Sequence, residues 1–191
     1  RQYHEAELLL SALKPVDAES GALHDSWSAY CMAAAGHVEE AARRIQTLQQ
    51  RHQGGALPAR ARDQVLLNLA KVMGLIGRPI DAYRVSSAVL ASSLASAKSL
   101  SVHFVVVMDL GHFGEAGALL RRLEPFRGDG SPLRHVEAVH LAYHQFCIGA
   151  LAAFQETLSY WKPELRRLGD ASRLQALIRV EILHKMSLAE S

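Results

Sequence analysis

RQYHEAELLLSALKP (Arg1–Pro15) and GHFGEAGALLRRLEP (Gly111–Pro125) are two copies of one stretch. Each has an aromatic residue third, Glu-Ala fifth and sixth, Leu-Leu ninth and tenth, Leu thirteenth and Pro fifteenth. Weaker copies start at Gly36 and Gly77. Within each copy the apolar residues recur at i, i+3 and i+4, the period of one helix face. In the first copy that face is Tyr3, Ala6, Leu9, Leu10 and Leu13. It is expected to pack on the hairpin that follows. Pro15 ends the helix, because proline disfavours helical backbone in the residue before it.

The small residue after the Glu, or its equivalent, sets the period. It is Ala6, Ala41, Ala82, Ala116 and Ala153, with gaps of 35, 41, 34 and 37 residues. A near-constant spacing of this size, with one helix pair per period, predicts an α-solenoid of stacked helix hairpins. Alanine suits a close helix crossing, where a longer side chain would hold the two backbones apart.

Between these anchors the chain reads as helix and turn. Val16 to Ser20 reads as a turn, with Asp25 or Ser26 capping a helix that carries Trp27, Tyr30, Cys31 and Ala34 on its apolar face. Gly36-His37 joins that helix to Val38–Gln50, and RHQGGALP (51–58) reads as a linker. Arg60 to Ile76 is strongly helical through Val65, Leu66, Leu69, Val72, Met73 and Ile76. Pro79 falls at the first position of the next helix, where its missing N–H costs nothing, and that helix runs on through Asp81–Ala91. Lys98–Leu110 holds Val102, Val105, Val106 and Val107, yet its place between helical units predicts helix. Gly111-His112 is a turn, Glu115–Leu123 is helix and PFRGDGSP (125–132) is a loop. Helices follow at Leu133–Ile148, at Leu151–Leu168 with a kink or restart at Pro163, and at Ala171–Met186. The last reads as a capping helix for the end of the array.

The stretch Gly111, Phe113, Glu115, Ala116 resembles the tetratricopeptide repeat family. Gly36, Val38, Glu40 and Ala41 follow the same pattern with Val for the aromatic, Gly77, Asp81 and Ala82 more loosely, and Tyr3, Glu5 and Ala6 without the Gly. Leu66, Leu69 and Ala70 fit the family's first-helix pattern, as do Ala138, Leu141 and Ala142. The copies are degenerate: Phe104 stands where the family has a small residue, and the proline after the second helix is kept only at Pro15 and Pro125. The resemblance implies an all-α fold, a right-handed superhelix of antiparallel hairpins with about ten helices. One repeat domain would cover 1–191, in units 1–15 (a half repeat), 22–51, 60–91, 97–125 and 132–168, with 171–187 as the cap. The related superhelical sensor domains of large bacterial transcription regulators share this architecture.

The resemblance also places a ligand groove on the first helices of the hairpins. Its lining would be Tyr30, Leu67, Asn68, Lys71, Lys98, Ser101, Val105, Val139, His140 and Tyr143. Asn68 and Lys71 lie three apart on one helix face and, with Lys98, would grip a peptide backbone or a carboxylate. The family's clamp for chaperone tails is interrupted by Val102 and Val105, so an amphipathic helix or an extended apolar peptide is the better fit. The function expected is a scaffold or adaptor that binds a peptide or partner helix. The alternative is the regulatory sensor part of a transcription regulator, or a secretion-system chaperone.

Other functions find less support in the residues. Net charge is +2 and the arginine pairs, such as Arg43-Arg44 and Arg121-Arg122, are scattered along amphipathic helices. No concentrated basic stripe forms, so no direct nucleic-acid contact is expected. No run of eighteen apolar residues exists to span a membrane. Cys31 and Cys147 sit in separate apolar runs, which predicts buried thiols and a reducing, cytoplasmic setting. His140 and His144, with His135 before them, have helical spacing for a metal but lack an acidic partner in an HExxH arrangement. Gly128-Asp129-Gly130 lacks the strand and the Lys of a phosphate loop. No nucleophile motif is present, so no enzyme activity, cofactor or metal is expected. The start at Arg1, without Met and inside a repeat, reads as a piece of a longer chain. An end helix without its own hairpin partner favours self-association through exposed apolar surface.

Overall fold

The computed structural model describes residues 2–53, 59–92, 96–126 and 136–189. Their regular elements are all helical, with ten α-helices and no strand among the described residues. The helices are α1 (Gln2–Ala12), α2 (Ala18–Ala35), α3 (Val38–Gln53), α4 (Ala59–Leu75), α5 (Pro79–Ser92), α6 (Ala97–Asp109), α7 (Phe113–Leu123), α8 (Leu141–Cys147), α9 (Leu151–Arg167) and α10 (Ala171–Ala189). They fall into two compact units, Arg1–Leu110 and Gly111–Ser191. The boundary lies inside the stretch 97–125 that the repeat period treats as one hairpin.

The turns follow from the glycines. Gly36 has φ +95°. Its N–H bonds to the Ala33 carbonyl at 3.1 Å, and that of His37 reaches back to Met32 at 2.9 Å. This is a Schellman turn, which closes the last carbonyls of α2 with backbone donors alone. Gly77, Gly149 and Gly169 make the same pair of bonds, and Gly111 shares the left-handed backbone. A residue with a Cβ avoids that region, so the glycine spacing dictates where helices stop.

In the first unit α2 packs on α3 and α4, and α4 packs on α5 and α6. Ala41 and Ala82 are fully buried, as the close-crossing argument requires, and so is Ala116 in the second unit. Ala6 and Ala153 are only half-buried. Ile45, Val65, Val72, Met73 and Ala29 form the main core, and Leu67, Ala70, Val89 and Val102 a smaller one. Phe104 is fully buried. Each such large side chain contributes about 1.5–3 kcal/mol by leaving water. In the second unit Phe154, Leu158, Leu165 and Leu177 form the core, with Ala138, Val139 and Ala142. The Lys162 ammonium donates to Glu181 at 2.6 Å and ties α9 to α10.

Several local expectations are corrected. The helix after Pro15 starts at Ala18, not after Asp25 or Ser26. The Asp17 carboxylate accepts from the Ser20 N–H at 2.7 Å, and Ser20 Oγ accepts from the Asp17 N–H at 3.0 Å. That reciprocal capping box satisfies donors that a turn over 16–20 would leave open. Ser26 is buried within α2 instead. Pro163 lies inside α9 without ending it. The segment before α8 is a π-helical turn, Val136–His140, not regular α-helix. Leu8 and Leu9 of α1, and Leu13 just beyond it, are exposed, so the leucine face is not the one on α2. Instead the His24 Nε2–H donates to the Leu10 carbonyl at 2.8 Å, and the Tyr3 ring meets Tyr30 edge-on at 5.9 Å. Among the described residues no helix is long and apolar enough to cross a membrane. The linker glycines 54 and 55, His135 and the 128–130 loop lie outside the described residues.

Candidate functional site

Trp27 and Tyr30 lie one turn apart on α2, with ring centroids 6.0 Å apart and edges to faces. Residues three apart on a helix are neighbours, so the pair makes one aromatic shelf. The Lys71 ammonium, from α4, lies 5.2 Å from the Tyr30 ring centroid and 5.8 Å from that of Trp27. The Lys98 ammonium, from the start of α6, lies 5.7 Å from the Trp27 centroid. Both are within range of attraction to the negative ring faces. Two helices, α4 and α6, thus each bring a cation to the shelf on α2.

A directed chain of hydrogen bonds orders this patch. The Lys98 ammonium donates to Gln64 Oε1. Gln64 Nε2 donates to Asn68 Oδ1 at 2.8 Å, and Asn68 Nδ2 donates to Ser26 Oγ at 3.1 Å. The Ser26 hydroxyl donates in turn to the Leu23 carbonyl at 2.9 Å. The chain runs from α6 through α4 to the backbone of α2, each donor polarised by the link before it.

Neither lysine has a carboxylate partner among the described residues. Burial holds the Lys71 ammonium below its ordinary pKa, and the nearby Lys98 charge lowers it further. Burial lowers Lys98 as well. Burial pushes the Tyr30 hydroxyl well above its ordinary value, assisted by the neighbouring Tyr3. The patch therefore combines an apolar shelf with positive charge that nothing described on the protein neutralises.

Of the residues assigned to a groove, Tyr30, Lys71 and Lys98 come together in the first unit. Asn68 is fully buried, with its amide committed to Gln64 and Ser26. Leu67 is buried in the smaller core, and Val139 in the core of the second unit. These three offer no open surface. Ser101 Oγ donates to the Ala97 carbonyl of its own helix at 2.7 Å, and Val105 is half-buried. In the second unit His140 is half-buried and Tyr143 lies at the surface. Trp27 and Gln64 complete the first-unit patch and were not among the groove residues. The signal for Trp27 was its spacing from Tyr30.

Several other reactive groups are buried or already engaged. Ser86 Oγ and His103 Nδ1 share a hydrogen bond of 2.8 Å, but both residues are buried and the hydroxyl also reaches the Ala82 carbonyl at 2.8 Å. They tie α5 to α6. His144 is buried and its Nε2–H donates to the Phe113 carbonyl at 3.0 Å, so it is engaged away from His140. Cys31 is buried and Cys147 half-buried, both as thiols, and burial pushes both pKa values up. Comparison with protein-family models, with curated proteins and with solved structures finds no match for the chain in any of the three.

Proposed function

We propose that the chain is a protein-interaction module of the tetratricopeptide kind, a right-handed superhelix of hairpins with no chemistry of its own. Its binding surface is the patch of Trp27, Tyr30, Lys71 and Lys98, and its ligand is a peptide or partner helix that sets a carboxylate beside an apolar side chain. The observation that carries this reading is the pair of lysines over one aromatic shelf with no acidic partner among the described residues. An ammonium half removed from water is costly unless an anion compensates it. The neighbourly packing of α2, α4 and α6 supports a stacked arrangement within the first unit.

The test is binding of fluorescein-labelled peptides that carry Asp or Glu between Leu and Phe, read by anisotropy. Matched peptides with Asn or Gln are the comparison. A charge-assisted hydrogen bond is worth about 1.5–3 kcal/mol, so Lys71→Met or Lys98→Met should weaken the acidic peptides by roughly 10–100-fold. Equal affinity for acidic and amide peptides, or unchanged affinity in both variants, would refute the reading.

A further inference from the structure

A second group of polar side chains lies at α1, away from any role above. His4 and Glu7 are three apart on α1 and so share a face, with His4 Nδ1 4.0 Å from Glu7 Oε2. His37 stands in the turn between α2 and α3. Ligand atoms of all three lie within 4.8 Å of one another. At 4.0 Å the His4–Glu7 pair is too long for a hydrogen bond. Among the described residues the Glu7 carboxylate, whose side chain is only 23% exposed, receives no hydrogen bond, and neither imidazole is otherwise engaged. A half-buried carboxylate without a donor is an unmet demand for positive charge.

We propose that His4, Glu7 and His37 form a site for a borderline divalent transition metal, with Zn2+ the best-matched ion, which clamps α1 onto the α2–α3 turn. Two imidazoles and one carboxylate suit zinc and its neighbours, whereas calcium and magnesium require oxygen ligands. Zinc bonds of about 2.0–2.1 Å in a tetrahedron set the donors about 3.4 Å apart. The ligand atoms lie within 4.8 Å of one another, so the closure asked of the exposed His4 and His37 side chains is at most about 1.4 Å. The backbone beneath them is held: the His37 N–H bonds to Met32 and its carbonyl accepts from Ala41, and α1 is anchored through Leu10 to His24. A fourth position stays open for water or for a donor from another molecule. The inference is independent of the peptide-binding reading, since it shares no residue with the Trp27 patch.

The test titrates the metal-stripped chain with ZnCl2 by calorimetry. Amide exchange in α1 is followed in parallel. One zinc per chain is expected, with slowed exchange over Gln2–Ala12 and no comparable response to MgCl2 or CaCl2. Losing a mere outer partner of a metal ligand costs about 10–100-fold in affinity, so His4→Ala, His37→Ala and Glu7→Gln should each raise the Kd at least about tenfold. His112→Ala, at another surface histidine, should leave it unchanged. All four positions are at the surface or partly so, and far-UV circular dichroism should match wild type. Saturable binding that survives in His4→Ala and His37→Ala would place the zinc elsewhere and overturn the assignment. Absence of stoichiometric binding in the wild type would overturn it too.

Discussion

Two glycines of the same helix should respond to the same substitution with opposite signs. Gly21 lies inside α2 with ordinary helical backbone, and an added Cβ would meet only Pro15 Cβ at 3.8 Å, a normal contact. Gly36 ends α2 at φ +95°, and its added Cβ would meet nothing within 4 Å. Space is available at both, so backbone conformation alone decides. Alanine is better than glycine within a helix by about 0.5–1 kcal/mol. In the left-handed region a residue with a Cβ loses about 1–2 kcal/mol. A less flexible unfolded chain returns about 0.4–1 kcal/mol of that. Gly21→Ala should therefore stabilise the first unit by about 0.5–1 kcal/mol and Gly36→Ala destabilise it by a similar amount, or about 3–6 °C in Tm each way for a unit of this size. Urea unfolding followed by Trp27 fluorescence, in a Trp161→Phe background, reports on the first unit separately. If both variants are stabilised, Gly36 is not left-handed. If both are destabilised, α2 does not begin at Ala18.

The capping box offers a pH test. Hydrogen bonds from Ser20, side chain first and backbone second, hold the Asp17 carboxyl below its ordinary 3.8. Its contribution is thus complete above that value and lost as pH falls through the folded-state value, so the Tm gap between wild type and Asp17→Ala should close in acid. Lys71 runs the other way. Its charge is disfavoured in the fold, a penalty present at neutral pH that fades as pH rises toward the ordinary 10.5. Lys71→Met should raise thermal stability at pH 7 while it weakens acidic peptides, and a loss of stability would contradict the buried-charge account. Asn68→Ala should cost about 1–3 kcal/mol in urea unfolding, because buried partners are left unsatisfied. Phe154→Ala, at a fully buried position, should cost the second unit about 3–5 kcal/mol, read in the Trp161 transition of a Trp27→Phe background.

The helix boundaries were legible wherever glycine or proline marks them. Gly36, Gly77, Gly111, Gly149 and Gly169 each fall at an observed turn, because a left-handed backbone admits few other residues. The valines of α6 were read correctly as helix since position in the repeat outweighed propensity. The start of α2 was missed because its first two turns carry Ala, Ser, His and Asp in no apolar period. Only the Asp17–Ser20 pair signals it. The clustering of the candidate residues was partly legible. Lys71, Lys98 and Tyr30 meet, but Leu67 and Asn68 do not face out. Helical periodicity assumes one buried face, and α4 is contacted by α2, α3, α5 and α6 together. With neighbours on most sides, Leu67, Asn68, Leu69 and Ala70 are buried in succession.

Under the proposed function, the hydrogen-bond chain from Lys98 to the Leu23 carbonyl has a consequence for how tightly an anion would be held. Sliding α4 by one turn along α2 would break the Asn68–Ser26 link and, through Gln64, release the Lys98 ammonium. The contact with Gln64 therefore favours a position of the cation near Trp27 before any ligand arrives. A long, mobile lysine normally surrenders rotamer freedom on meeting an anion, at about 0.5–1.5 kcal/mol for each side chain immobilised. Here much of that ordering is done in the folding of the first unit. On that reading Lys98 would be the seated contact, and Lys71, which among the described residues is held by the aromatic rings, the adjustable one. Ligands that differ in where they carry the negative charge should thus be discriminated at Lys98 and tolerated at Lys71.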